Sequence, residues 1–334
     1  MTRYIDSSGR KVDSVDKLAE GMRVFDIEIE ALQKTRDALG DTFLNILDLI
    51  TGCRGKVIIT GMGKPGHIAT KLAATFASLG TPSFYLHPGE AMHGDLGMVS
   101  DSDVVIAISY SGESDEIVRI LPNIRMIGAK LVGITGNAGS TLAQASDVAQ
   151  ILPEFEEACH LGLAPTSSTT SALCYGDALA VVASRVYGFR DEDFGRFHPA
   201  GSLGKKLILR VDDLMAGGDR NAAVGEDTML KDAIVELSRK GLGLVNILGE
   251  GGKLKGVVTD GDLRRQLERG ADIYSLHVRN VMTRMPAVIE SGKLAVEALG
   301  MLKEKNISCM PVVDGDKVIG TIRLQDIIGV GIVG

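Results

Sequence analysis

Four short segments of the sequence carry side chains that could bind an anion or move a proton. The first, Gly61-Met-Gly-Lys64, follows a β-branched run. Its glycines would let the backbone approach a ligand, and Lys64 would offer a cation to a phosphate or to a developing oxyanion. It is not a P-loop, because Pro65 stands where that motif needs Ser or Thr after the lysine. A plain tight turn is the alternative interpretation.

The second segment, Ser109-Tyr-Ser-Gly-Glu-Ser-Asp-Glu116, places three serines at the start of a predicted helix. Free backbone N–H groups and the helix dipole favour an anion at such a place. Serine is also a common N-cap residue. One serine would satisfy a cap, so the three hydroxyls of Ser109, Ser111 and Ser114 favour a phosphate site.

The third segment covers residues 156–170 and joins Glu156 and Glu157 to a second hydroxyl-rich helix start at residues 166–170. A carboxylate beside a sugar phosphate is electrostatically costly unless it has a function such as proton abstraction. A solvated acidic loop followed by a helix cap is the alternative interpretation.

The fourth group consists of histidines in loops that contain Pro or Gly. His87 and His93 lie in His87-Pro-Gly-Glu-Ala-Met-His93, and His198 precedes Pro199. They could act as acid–base groups or bind a divalent metal. A lone histidine is usually structural, so the cluster with Glu90 does not by itself predict an obligatory metal.

Together these groups suit the isomerisation of an aldose and a ketose phosphate. Moving a carbonyl between C1 and C2 requires a base, an electrophile that stabilises the enediolate, and an acid–base pair for ring opening. The reaction needs no hydride carrier and no metal. We therefore expect no required cofactor.

The elements that must position these segments form a doubly wound α/β domain over residues 40–205. Strands are predicted at residues 56–60, 81–86, 103–109, 131–135 and 147–152, and an alanine-rich helix at 170–187. Strands that alternate with helices form a parallel sheet, and ligands of such sheets lie at the carboxyl ends of the strands.

Two further regions flank this domain. In the N-terminal segment, residues 1–39, apolar residues three and four apart predict a helix, packed either on its own domain or against another subunit; they are Val15, Leu18, Met22, Phe25, Ile29 and Leu32. Beyond residue 211 the sequence repeats itself, since Asp213-Leu-Met215 recurs as Asn280-Val-Met282. The recurrence predicts two small α/β units, at residues 212–271 and 278–334.

The composition limits the partners and the compartment. The net charge of −7 over 334 residues gives no electrostatic reason for binding nucleic acid or an anionic membrane. The four cysteines form no CxxC pair and are typical of reduced thiols. Residues 1–10 lack the apolar stretch of a signal peptide, and no apolar run approaches the ~18 residues of a membrane helix. We expect a cytoplasmic protein.

The motifs and their order resemble those of the D-arabinose 5-phosphate isomerases, in which a sugar isomerase (SIS) domain precedes two CBS repeats. They are Gly61-Met-Gly-Lys64, His87-Pro-Gly-Glu-Ala-Met-His-Gly-Asp95, Ser109-Tyr-Ser-Gly-Glu-Ser114, Gly162-Leu-Ala-Pro-Thr-Ser-Ser-Thr169 and His198-Pro-Ala-Gly201. The resemblance covers almost all of the chain beyond residue 40. It implies interconversion of D-ribulose 5-phosphate and D-arabinose 5-phosphate, supply of the sugar acid Kdo for lipopolysaccharide or capsule, and a homotetramer.

The resemblance also implies the site residues. The catalytic positions would be Lys64, Glu116, Glu157 and His198. The substrate-binding positions would be Gly80, Thr81, His87, His93, Ser109, Ser111, Ser114, Thr166, Ser167, Ser168 and Thr169. His87 is similar to a position where zinc can bind and inhibit. We assign Glu157 as the base, His198 to ring opening, Lys64 to the enediolate, and Glu116 to orienting a partner.

Several residues depart from the family pattern. Pro65 replaces a common serine, Tyr110 an asparagine and His160 a proline, so contacts to the sugar hydroxyls are expected to differ. In the first CBS repeat, Thr259 and Asp262 form the Thr-x-x-Asp arrangement that suits a nucleotide ribose. The second repeat has Arg323 in place of that hydroxyl residue but keeps Asp326. The CBS pair is expected either to bind a nucleotide or nucleotide-sugar effector or to be structural.

Two other functions fit parts of the pattern. One is another phosphosugar isomerase with an SIS domain, although such enzymes typically lack the CBS pair. The other is a non-catalytic sugar-phosphate sensor, which usually begins with a basic helix-turn-helix. Residues 1–50 hold seven Lys or Arg against ten Asp or Glu, the wrong sign for DNA. An enzyme is favoured.

Overall fold

The computed structural model describes residues 16–198 and 201–333 and divides the chain into two compact units. The first ends at Phe189 and the second begins at Arg190. The division lies earlier than residue 205, the predicted end of the α/β domain. No helix within the described ranges is long and apolar enough to span a bilayer.

The first unit is built on five parallel strands in the order β2-β1-β3-β4-β5. Its helices and strands are α1 (Lys17–Asp37), α2 (Asp41–Thr51), β1 (Val57–Gly61), α3 (Lys64–Ser78), β2 (Ser83–Leu86), α4 (Pro88–Ala91), β3 (Val104–Ile108), α5 (Asp115–Ile127), β4 (Lys130–Thr135), α6 (Thr141–Ala145), β5 (Val148–Ile151) and α7 (Ser167–Val186). A 3-10 turn at Asp95–Met98 precedes β3. The predicted doubly wound α/β fold is confirmed.

The core has two layers because helices cover both faces of the sheet. On one face, Ile59 packs with Phe76 of α3 and Tyr175 of α7. On the other, Ile58 packs with Ile120 of α5. Every residue of β1 and β3 is buried, which explains the apolar runs at residues 57–59 and 104–108. Polar groups for chemistry can therefore gather only at the strand ends.

The apolar stripe predicts helix α1 correctly, but the structure places most of that stripe in solvent. Leu18, Met22 and Phe25 are exposed, Phe25 by 73%, so the stripe does not pack on its own domain, although the helix itself contacts α7. The buried side of α1 carries Ala31 and Thr35 instead. Val15 lies outside the described residues, and contact of the stripe with another subunit stays a prediction.

The second unit contains the two predicted repeats. Its elements are α8 (Asp191–Phe197), α9 (Ser202–Ile208), α10 (Val211–Leu214), β6 (Ala216–Gly217), β7 (Ala223–Gly225), α11 (Leu230–Lys240), β8 (Leu244–Leu248), β9 (Leu254–Thr259), α12 (Asp260–Glu268), β10 (Ile289–Glu290), α13 (Ala295–Glu304), β11 (Cys309–Asp314), β12 (Lys317–Arg323) and α14 (Leu324–Gly329). Short 3-10 turns lie at Gly218–Arg220, Glu250–Gly252 and Val278–Asn280. Each repeat thus has the order strand, helix, two strands, helix.

The two repeats complete each other's sheets. Strand β6, near the start of the first repeat, pairs antiparallel with β12 of the second. Thr283, near the start of the second repeat, bridges Val257 of β9 in the first. Between them, the buried Asn246 Nδ2 donates to Thr321 Oγ1 at 2.9 Å. This exchange explains why the sequence carries two copies together.

Asp103 stabilises the loops at the amino ends of the strands in the first unit. We expect it to make the free energy of unfolding depend on pH. It is 1% exposed, and its carboxylate accepts Lys56 N at 2.7 Å and Ser100 N at 2.8 Å. Burial alone would raise the pKa of Asp103, but these N–H donors and the Lys56 charge hold it below its ordinary value of 3.8. A lowered folded-state pKa stabilises the protein above 3.8, and this stabilisation is lost as the pH falls through the lowered value.

We expect Asp103→Asn to lower the free energy of unfolding by about 1–3 kcal/mol at pH 7, since it weakens buried hydrogen bonds to two backbone amides. Below pH 4 the difference from the unsubstituted protein should shrink. Urea unfolding at pH 7 and pH 3 measures both values. Asp101→Asn, an exposed neighbour, is the control. Equal stability of Asp103→Asn and the unsubstituted protein at pH 7 would contradict the assignment.

Candidate active site

The predicted segments meet at one edge of the first unit because its five strands are parallel. Lys64 follows β1, His87 follows β2, Ser109 follows β3, and the segment with Glu157 follows β5. The strand order reverses direction between β1 and β3, where α3 and α5 lie on opposite faces of the sheet. Such a switch point opens a crevice at the carboxyl ends of the strands. The loops of Lys64 and Ser109 flank it.

The turn that carries Lys64 is held closely while its ammonium group extends into solvent. Gly63 has φ 63°, a conformation that glycine adopts readily. At Gly66 an added Cβ would lie 2.7 Å from the Gly61 carbonyl oxygen, and that oxygen accepts Tyr85 Oη at 2.9 Å. Lys64 is exposed, and within the described ranges its ammonium has no ion-pair partner. The lysine is therefore available to a ligand.

The serine loop after β3 is folded so that the start of α5 stays open. Ser109 is buried, and its Oγ lies 2.9 Å from Ser114 Oγ and accepts Gly112 N at 3.2 Å. Ser114 is the N-cap residue of α5, yet its side chain makes no bond to the first N–H groups of that helix. Ser111 is exposed. Side-chain capping therefore does not explain these serines, and the uncapped helix start favours an anion.

Glu157 lies at the start of α7, where its carboxylate is held by the hydroxyl-rich turn. Its Oε2 accepts Thr166 N at 2.6 Å, Thr166 Oγ1 at 2.8 Å and Ser168 N at 3.4 Å. Burial tends to raise the pKa of Glu157, but hydrogen bonds from Ser168 and Thr166 bring it below its ordinary value of 4.5. Glu157 is consequently a carboxylate at neutral pH.

The hydrogen bonds to Glu157 occupy the turn at residues 166–169, which the sequence assigned to phosphate binding. The amides of Thr166 and Ser168 already bind Glu157, and Thr169 Oγ1 donates to Thr166 O at 2.9 Å. The Ser167 hydroxyl is fully buried and finds no hydrogen-bond partner among the residues that the structure describes. In this structure the turn holds a carboxylate, and binding of phosphate by these four residues stays a prediction.

Helix α1 supports the segment of Glu157, a function that the sequence motifs did not indicate. Arg23 donates to Ala158 O at 3.1 Å, and Ala158 N donates to Thr166 Oγ1 at 2.8 Å. Thr170 Oγ1 donates to Glu28 Oε2 at 3.0 Å. The only signal in the sequence is the pair of Glu20 and Arg23 three residues apart, which is common on any helix.

Comparison with known proteins agrees with this architecture. The family model of the SIS domain matches residues 49–182, and that of the CBS domain matches residues 212–269 and 278–332. Arabinose 5-phosphate isomerase KdsD of Escherichia coli K12 is 46% identical over 94% of this chain and 95% of its own. KdsD of Yersinia pestis is 43% identical over 96% and 97%. The structure of c3406 from E. coli CFT073 in complex with arabinose 5-phosphate covers 56% of this chain and all of its own, with 43% identity and a TM-score of 0.54.

The near-complete match to the KdsD proteins decides the assignment. The chain belongs to the arabinose 5-phosphate isomerase family. The resemblance inferred from the motifs is confirmed, and so is the combination of SIS and CBS domains.

In this arabinose 5-phosphate isomerase family member, the loop histidines differ in their surroundings. His87 is half-buried, its Nδ1 accepts Gly89 N at 3.1 Å, and its ring meets Tyr85 edge-on at 6.2 Å. Only Nε2 is left for a ligand. His93 is exposed. Residues 16–198 and 201–333 contain no cluster of three His, Cys, Asp or Glu that could hold a metal.

The other two predicted catalytic residues are Glu116 and His198. Glu116 is in the first turn of α5 and half-buried. His198 belongs to the second unit and ends α8, where its Nδ1 lies 2.8 Å from Phe194 O and its ring stacks on Phe194 at 3.9 Å. Their roles in catalysis stay predictions.

The fold of the first unit separates Gly80 and Thr81 from Lys64, Ser109 and Glu157. Helix α3 runs for 15 residues, or about 22 Å, back along the sheet, so these residues precede β2 at the opposite edge. Gly80 has φ 95°, and an added Cβ would lie 2.5 Å from the Phe189 ring. The backbone conformation and the contact with Phe189 therefore explain why glycine occupies position 80, without a role in substrate binding.

The predicted nucleotide residues of the CBS pair are engaged with their neighbours. Thr259 is the N-cap of α12, and its Oγ1 donates to Asp262 Oδ2 at 2.7 Å, while Arg265 pairs with Oδ1. In the second repeat Arg323 binds both oxygens of Asp326, each at 2.7 Å. Both carboxylates are therefore already engaged by an arginine of their own repeat.

Proposed function

We propose that the protein interconverts D-ribulose 5-phosphate and D-arabinose 5-phosphate through an enediolate. The observation that carries the proposal is that three groups lie together at the carboxyl ends of the strands. They are the deprotonated Glu157, the exposed Lys64 and the open start of α5. Membership of the isomerase family supports the same reaction.

Each group has a defined part in the proposed reaction. The serine loop binds the phosphate with its hydroxyls and the N–H groups of α5. Glu157 removes the proton from C2 of the open aldose and returns it to C1, while the hydroxyl proton moves from O2 to O1. Lys64 stabilises the negative oxygen of the enediolate. His198 serves the opening of the sugar ring, and Glu116 orients a neighbouring group.

The wider setting is proposed with the reaction. The protein would work in the cytoplasm without a required cofactor, with zinc at His87 as an inhibitor, and would supply Kdo synthesis. The exposed stripe of α1 supports assembly into a homotetramer. The CBS pair would bind a nucleotide or nucleotide-sugar effector or serve the assembly.

A single incubation in D₂O tests the reaction. Purified protein with D-ribulose 5-phosphate, EDTA and no added cofactor should yield D-arabinose 5-phosphate with deuterium at C2. NMR spectroscopy measures the product and its deuterium content. Glu157→Gln protein in the same buffer is the control and should form product at least about 100-fold more slowly. Appearance of a different aldose epimer would favour another phosphosugar isomerase, and binding of the ester without exchange would favour a sensor.

A further inference from the structure

An aromatic pair joins the two loops that the proposed reaction uses. Tyr110, between Ser109 and Ser111, stacks on Phe155 with ring centroids 5.4 Å apart and planes 28° from parallel. Phe155 precedes Glu157 by two positions. The stack therefore connects the serine loop after β3 to the carboxylate segment after β5.

The stack crosses the end of β4, the strand between β3 and β5. The ring of Tyr110 can lie there because position 136 is a glycine. Gly136 follows β4, and an added Cβ there would lie 2.6 Å from the Tyr110 ring. Gly136 N donates to Tyr110 O at 2.8 Å, and Thr135 Oγ1 donates to the same oxygen at 3.1 Å. Both the ring and the backbone of Tyr110 are thus held against this strand end.

The ring also borders the start of α7. With Pro65, Ser168 and Thr169 it lines a small cavity at the carboxyl edge of the sheet. Burial, followed by the charges of Glu157 and Glu154, raises the pKa of the Tyr110 phenol above 10.0. The side chain is consequently neutral beside those carboxylates and does not repel them.

We propose that Tyr110 is a positioning residue for the proposed reaction in this chain. By stacking on Phe155 it fixes the separation between the serine loop and Glu157, so that a phosphate on C5 brings C1 and C2 to the carboxylate. This inference rests on the proposed function. A misplacement of about 1 Å costs on the order of 100-fold in rate, so loss of the stack should affect turnover more than binding.

The test compares Tyr110→Leu, which removes the stack, with Tyr110→Phe, which keeps it. For D-ribulose 5-phosphate, Tyr110→Leu should lower kcat about 10- to 100-fold while KM changes less than about threefold. Tyr110→Phe should retain kcat within about twofold. The preference for this pentulose phosphate over D-fructose 6-phosphate, as a ratio of kcat/KM, should fall at least about tenfold in Tyr110→Leu only.

A second pair of variants and a control complete the test. Phe155→Leu should reproduce Tyr110→Leu, and the double variant should be no slower than either, because both act through one contact. If Tyr110→Leu does not fold, Phe155→Leu decides. Phe43→Leu disrupts the edge-on pair of Phe43 and Tyr175 at 5.6 Å in the core, and should lower Tm without changing the preference.

The outcomes separate the two proposals. An unsubstituted protein that does not turn over D-ribulose 5-phosphate would refute the proposed function. If it does, but the loss of the stack leaves kcat and the substrate preference unchanged, Tyr110 has no positioning role. Equal losses in Tyr110→Phe and Tyr110→Leu would show that the hydroxyl acts, and would overturn the inference as well.

Discussion

Replacing Glu157 with Gln should lower kcat for D-ribulose 5-phosphate by about 10²- to 10⁴-fold. The amide keeps the size of the side chain and an oxygen that can accept from Thr166 N, so the start of α7 should stay folded. It cannot take a proton from carbon. Initial rates give kcat, and calorimetry with a pentitol 5-phosphate should show phosphate-ester affinity within about threefold of the unsubstituted protein.

The adjacent Glu156 provides the matched control, because it is exposed and one position from the base. Glu156→Gln should keep nearly all activity. The lowered pKa of Glu157 also makes a prediction for the acid side of the pH profile: the base is deprotonated at neutral pH, and its own protonation should lower kcat/KM only below pH 4.5. A Glu157→Gln protein with near-normal kcat would show that another group is the base.

The strands of the first unit are predictable from sequence because burial on both faces leaves a simple signal. The apolar run predicts a strand at residues 103–109, and β3 occupies Val104–Ile108 with every residue buried. The parallel order of the sheet then follows from the alternation with helices, and it brings Lys64, Ser109 and Glu157 to one edge. Thus the common location of these groups is accessible from sequence alone.

The contacts of the site could not be predicted in the same way. A hydroxyl-rich helix start suits a phosphate and a carboxylate equally. Only the folded chain shows that the Glu157 carboxylate accepts a hydrogen bond from Thr166, nine residues later. The placement of Gly80 depends on the direction of α3, which motif resemblance does not encode. The apolar stripe of α1 predicts a helix correctly, but periodicity does not reveal which partner covers it.

Replacing Lys64 with Met should lower kcat about 10²- to 10³-fold. Methionine is similar to lysine in length but carries no charge. The turn before it is unchanged, so the start of α3 should persist while the charge is lost. The enediolate oxygen would then lack its cation in the transition state, where negative charge develops. Because the lysine acts mainly on that state, KM should change less than kcat, and initial-rate kinetics separates the two.

Lys71→Met on the same helix is the control, since Lys71 pairs with Asp177 at 2.5 Å, two turns from the site. It should retain activity. Lys64→Arg should recover part of the rate, because it restores a positive charge with a different shape. If Lys64→Met raised KM and left kcat intact, the lysine would bind the phosphate in the ground state. The exposed ammonium beside the switch point would then be part of the anion site, and stabilisation of the enediolate would have to come from another group.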